Sequence, residues 1–142
     1  MDETMKIHFD LPVDDFTRAG EASSMVKRTL KKLGINPEVV RRIAIAMYEG
    51  EINIFIHANQ GTIDVSISPR LIEMIMKDEG PGIENIEKAM QQGYSTASQR
   101  IRDLGFGAGM GLPNMQKNTD AMNIESIVGV GTTIFMSVNV TP

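Results

Sequence analysis

The chain has 142 residues, 42% of them hydrophobic, and its 14 Lys and Arg against 18 Asp and Glu give a formal charge of −4, the profile of a single domain over residues 1–142 that buries its own core. It contains no Cys, which excludes thiolate zinc sites, Cys nucleophiles and CxxC redox pairs, and its acidic balance argues against nucleic acid, whose recognition needs clustered Lys and Arg. No apolar run reaches signal-peptide or membrane-spanning length, so the expected setting is cytoplasmic, with no membrane contact and with proteins or small anions as partners.

In chain order, Met5 to Asp10 alternates enough, through Ile7 and Phe9, to form a strand ahead of Pro12. Asp14 or Asp15 can cap a helix running to about Leu33, with Phe16, Ala19, Met25, Val26 and Leu30 as its apolar stripe and Gly34 as its stop signal. Asn36-Pro37 opens a second helix with cap and N1 proline in the preferred order. From Val39 to Ala58 this helix is apolar over most of its circumference, the mark of a buried helix. Glu49, Asn53 and His57 recur every fourth residue on it and form one polar stripe. GTIDVSIS from Gly61 and the apolar LIEMIMKD flank Pro69-Arg70 as a hairpin.

After DEGPGI the pattern predicts a short helix from about Glu84 to Gln91, then a long loop between Gly93 and Gly105 of the kind that serves as a lid. A helix from Leu112 to about Ala121 follows, and strands Met122–Ile127 and Thr132–Val140, joined by VGVG, close the chain. The expected fold class is α/β (α+β): a two-layer sandwich with a mixed, mainly antiparallel sheet covered on one face by helices.

Three segments carry chemistry. Gly105, Gly107, Gly109 and Gly111 run directly into a helix, so backbone N–H groups and a helix terminus can converge on phosphate; a plain hinge would use the same residues. The spacing matches neither GxGxxG nor GxxxxGK[ST]. Asp78-Glu79-Gly80-Pro81-Gly82-Ile83 has the composition of a tight turn. Its placement at the end of a buried strand also lets a carboxylate accept from an exocyclic amine while the glycines admit a flat base. Along the helical stripe, Glu49 and Asn53 read alone as half-buried structural polars. Facing a phosphate loop, Asn53 becomes a neutral oxygen ligand for Mg²⁺ and Glu49 a base for a hydroxyl. HExxH is absent, and Arg41 and Arg42 fit a solvated helix face, as the eleven Met fit core filling.

Together and in this order, these segments resemble the motifs of the Bergerat-fold (GHKL) ATPases. Glu49-x3-Asn53-x3-His57-Ala58 resembles the N box, Asp78-x-Gly80-x-Gly82-Ile83 the first glycine box, and Gly107-x-Gly109-x-Gly111-Leu112 the second. Gly131-Thr132-Thr133 resembles the family's Gly-Thr strand start. A lone domain of this length, with about a dozen residues before its first helix, is similar to the bacterial anti-sigma factors and switch-protein serine kinases, and GYSTASQRIRDLGFGAGMGLPNM resembles the kinase branch. Gly50, where Ala or Leu is usual, and a longer lid are this chain's departures from the pattern.

The resemblance implies an ATP- and Mg²⁺-dependent serine protein kinase or anti-sigma factor that phosphorylates a Ser of a STAS-type antagonist in a partner-switching system. It implies Glu49 as catalytic base and Asn53 as Mg²⁺ ligand. Asp78 and Thr132 would meet adenine, and Gly80, Gly82 and Ile83 the base edge. Gly107, Ala108, Gly109, Met110, Gly111 and Leu112 would meet phosphate, with Arg100 and Arg102 as phosphate contacts from the lid. Partners would be the STAS protein, a sigma factor or another regulator, with a homodimer allowed. The alternatives are a nucleotide-dependent module that sequesters a regulator without catalysis, and a detached histidine-kinase-like ATPase domain.

Overall fold

A computed structural model describes residues 4–91 and 111–140 of the chain. Among them five strands form one sheet: β1 (Met5–Asp10), β2 (Gln60–Ile67), β3 (Leu71–Glu79), β4 (Ala121–Ile127) and β5 (Gly131–Asn139), in the spatial order β1-β2-β3-β5-β4. Every neighbouring pair is antiparallel, so the sheet is not the mixed one expected. The reason lies in the connections. Two helices intervene between β1 and β2 rather than the single crossover helix that makes parallel neighbours, and β2–β3 and β4–β5 are hairpins.

The helices are α1 (Glu21–Lys32), α2 (Pro37–His57), α3 (Ile86–Ala89) and α4 (Gly111–Lys117), preceded by a 3₁₀ turn at Phe16–Arg18. Period-two burial sets the core face of the sheet. Ile63, Val65 and Ile67 of β2, Ile72, Met74 and Met76 of β3, and Ile134, Met136 and Val138 of β5 are buried beneath α2. His8, Asp64, Glu73 and Lys77 lie exposed on the other face. α1 and α4 each pack on α2. The two-layer α+β architecture is thus the expected one.

Three helices differ in extent from the sequence reading: α3 is the single turn Ile86–Ala89 rather than Glu84 to Gln91, and α1 and α4 differ for reasons visible in their contacts. Asp15 caps only the 3₁₀ turn, by accepting from Thr17 N, and α1 begins later, after Gly20, which has no side chain to cap it. The cap comes from Glu51 of α2 instead. Its carboxylate, 1% exposed, accepts from the backbone N–H groups of Gly20 (2.9 Å), Ala22 (3.3 Å) and Ser23 (3.0 Å) and from the Ser23 hydroxyl. The first turn of α1 is thereby tied to the middle of α2.

α4 ends at Lys117 rather than near Ala121 because polar side chains close its last turn. Asn118 Nδ2 donates to Asn114 O (2.8 Å) and Thr119 Oγ1 to Met115 O (2.9 Å), and Asp120 N–H then donates to Ser137 O to enter the sheet.

Gly50 has a packing reason. A Cβ there would overlap the Met76 side chain on β3 and crowd Met115 of α4. The missing side chain lets three elements meet at one point, which offsets the roughly 1 kcal/mol that Gly costs inside a helix.

Candidate nucleotide site

The buried middle of α2 positions one half of the site. Glu49 and Asn53 are half-buried and four residues apart, so they share a face. That face meets the start of α4: a Cβ placed on Gly111 would lie 3.6 Å from Glu49 Oε2 and 3.9 Å from Asn53 Oδ1. Two oxygens therefore converge on the first residue of α4. One turn into α4, Asn114 Nδ2 donates to Glu49 Oε1 (3.3 Å). Nothing in the sequence singles out Asn114. Its partnership depends on how α4 lies against α2.

The other half forms where β3, β5 and β4 end side by side. Asp78 pairs in register with Thr132, and Thr132 with Ser126. Asp78 Oδ1 accepts from Thr132 N–H (3.1 Å). Burial pushes the Asp78 carboxyl above its ordinary value, and the Thr132 N–H opposes that shift. An acid with one oxygen anchored and the other free is suited to accept a hydrogen bond from a ligand.

Both glycines after Asp78 are required by close approach. Gly80 packs against the His57 carbonyl and Ala58 at the end of α2, where a Cβ would stand 3.2 Å from each. Gly82 has φ +75°, and a Cβ would stand 2.5 Å from Ile127 O. Ile83 N–H donates to Ser126 Oγ (2.8 Å), and Gly80 N–H to Val130 O (3.2 Å), so the loop is sewn to the β4–β5 turn. Gly131 is equally constrained, since a side chain there would collide with Asp78 O.

α2 joins the halves. Between Gly50, over Met76, and Ala58, over Gly80, the helix follows β3 past Asp78, with Asn53 in between. His57, the third polar residue of the stripe, is mostly buried, which lowers its pKa and favours the neutral ring. Leu112 is buried in the core beside Met115. Gly107, Ala108, Gly109, Met110, Arg100, Arg102 and the lid expected between Gly93 and Gly105 lie outside the described residues.

Comparison with known proteins identifies the family. The histidine kinase-like ATPase domain family matches residues 14–138. The serine/threonine-protein kinase RsbT of Bacillus subtilis (strain 168) is 31% identical over 117 residues, covering 80% of this chain and 82% of that protein. An anti-sigma F factor of Thermoanaerobacter sp. (strain X514) is 35% identical over 121 residues, covering 82% and 81%. The crystal structure of the SiaB-SiaC complex from Pseudomonas aeruginosa contains a chain with the same fold, at a TM-score of 0.57 and 12% identity over 94% of this chain and 89% of that one. The chain belongs to the histidine kinase-like ATPases, on the branch that holds the switch-protein serine kinases and anti-sigma factors. Within that branch it is an ATP-dependent protein serine/threonine kinase.

Proposed function

We propose that this kinase transfers the γ-phosphoryl group of Mg-ATP to a serine of a small STAS-type antagonist in the bacterial cytoplasm, and so controls a partner-switching regulator. The observation that carries the reading is the convergence of Glu49 Oε2 and Asn53 Oδ1 on Gly111, at the entry of α4. The donor set suits Mg²⁺, which takes oxygen ligands and is held by one or two protein groups together with substrate phosphates and water. Among the described residues no three carboxylate or imidazole groups gather at one point. Asn53 would hold the ion in company with phosphate oxygens.

ATP, when bound, supplies the phosphoryl group. Asp78 accepts from the adenine amine with its free oxygen, Thr132 lies beside it, and Gly80, Gly82 and Ile83 shape the wall along the base. The second glycine box, from Gly107 to Gly111, would meet the phosphates, while the Leu112 side chain is buried in the core. Glu49 orients the acceptor serine and takes its proton, and Asn114 holds the carboxylate's other oxygen. Positioning and charge neutralisation supply most of the rate in such transfers.

Two variants and one assay test the reading. Asn53→Ala should lose Mg-ATP binding and transfer together. Glu49→Gln should still bind nucleotide, while single-turnover phosphorylation of the STAS partner falls by about 10²–10⁴-fold. Labelled ATP with the partner should yield phosphoserine. Binding of the partner without transfer would favour the sequestering module, and phosphohistidine the detached histidine-kinase-like domain.

A further inference from the structure

Ser126 of β4 has no role in the reading above, yet its hydroxyl is the most connected polar group of the base end. It lies within hydrogen-bond reach of three partners: Ile83 N–H at 2.8 Å, Thr132 Oγ1 at 2.8 Å and Gly131 O at 3.2 Å. A serine hydroxyl has one proton and two lone pairs. The Ile83 N–H can only donate, so it takes one lone pair. The Gly131 carbonyl can only accept, so it takes the proton. One lone pair remains, and Thr132 can meet it only by donating its own proton to Ser126. In this arrangement all three contacts are hydrogen bonds. Turning the Ser126 proton toward Thr132 would instead leave two oxygens, those of Ser126 and Gly131, facing each other without a proton at 3.2 Å.

The Thr132 hydroxyl, with its proton committed inward, then offers only lone pairs to a ligand. It stands beside Asp78, whose Oδ1 is held by the Thr132 N–H and whose other oxygen also only accepts. Asp78 and Thr132 then form a pair of acceptors side by side.

We infer that Ser126 is a specificity-determining residue. By fixing the direction of the Thr132 hydroxyl it makes the pocket select a base edge bearing an amine and reject the same edge bearing a carbonyl. This rests on the reading that the base lies against Asp78. A 6-amino purine places donors opposite the two acceptors. A 6-oxo purine places an oxygen there and keeps a single donor, N1–H, so at least one of the two acceptors faces the oxygen unpaired, the kind of mismatch by which binding sites discriminate most strongly.

ADP and IDP, which differ in the 6-substituent and in the proton that the 6-oxo base carries on N1, are suitable probes for calorimetry because neither can be turned over. The unmodified protein should prefer ADP. In Ser126→Ala, Thr132 is free to turn its proton outward toward a 6-oxo group. The IDP/ADP ratio of dissociation constants should then fall roughly five- to tenfold, the factor that one neutral hydrogen bond supplies. Ser126→Thr, which restores a hydroxyl, should keep the original ratio. In a Thr132→Val background the Ser126→Ala change should leave the ratio where Thr132→Val alone puts it.

A merely structural Ser126, holding the loop through Ile83, would weaken both nucleotides alike and leave the ratio unchanged. That result in folded protein overturns the inference. Asp78→Asn separates this from a failure of the site itself. If Asp78→Asn shifts the ratio while Ser126→Ala does not, Ser126 has no part in selection. If neither shifts it, the base does not lie against Asp78.

Discussion

At the scale of single residues, Asp78 makes the most direct link between burial and binding. The pKa of its carboxyl is raised by desolvation, so acidification should protonate it sooner than an ordinary Asp, which titrates at 3.8. ATP affinity should therefore fall on acidification in a window that opens above pH 3.8, and Asp78→Asn should bind ATP far more weakly near neutral pH and lack that dependence. Calorimetry across the acid range checks both, and normal affinity in a folded Asp78→Asn protein would remove the residue from the site.

The two histidines offer a contrast of sign. His8, exposed on the open face of the sheet, has Nδ1 2.6 Å from Asp64 and Nε2 3.1 Å from Asp10, and these bonds raise its pKa. His57 is lowered by burial. Ring-proton NMR should show His8 titrating above 6.5 and His57 below it. Because the folded state holds the His8 proton more tightly than the unfolded chain, its bonus to stability is complete below pH 6.5 and disappears as pH rises through the raised value. His8→Gln should accordingly lower the melting temperature at acid pH and leave it unchanged well above neutrality.

At the scale of elements, boundaries written locally were legible and those written at a distance were not. Asn36 accepts from Glu38 N–H and Pro37 occupies the first turn, so the start of α2 follows from two adjacent residues. The start of α1 does not, because its capping carboxylate arrives from Glu51, far along the chain. A clue stood in the sequence, since Glu51 is an acid on a helix otherwise apolar on that side. The candidate site divides in the same way. The stripe and the glycines are visible in sequence order. Ser126 and Asn114 enter only through strand register and helix packing.

The energetic consequence of Glu51 is testable. Glu51→Ala leaves several buried donors unpaired, each costing about 1–3 kcal/mol, against ~1 kcal/mol for losing an ordinary N-cap. Urea denaturation should therefore show a loss well beyond that of a single cap. A loss under 1 kcal/mol would mean that water or Ser23 replaces the carboxylate.

At the scale of the whole molecule, the sheet has β3 at its centre, flanked by β2 and β5, with β1 and β4 at the edges. Asp78 sits at the end of that central strand, so the base end of the site is built on the part of the fold with the most neighbours. Amide exchange should be slowest in β3 and faster in β1, which has one paired side and an exposed alternate face. Equal protection of β1 and β3 would argue that something covers the β1 edge.

The hydrogen bonds that sew the glycine loop to the β4–β5 turn also bear on how the chain would tolerate a change of length. Gly80 N–H reaches Val130 O, and Gly129 N–H reaches Pro81 O at 2.8 Å. Everything between departs from and returns to the same clasp, so residues 82–128 form an excursion whose two ends are already held together. In polymer terms, lengthening such a closed excursion costs only about 0.6 kcal/mol for each doubling. A change of chain length between the two glycine boxes should therefore leave the base end of the site as it is.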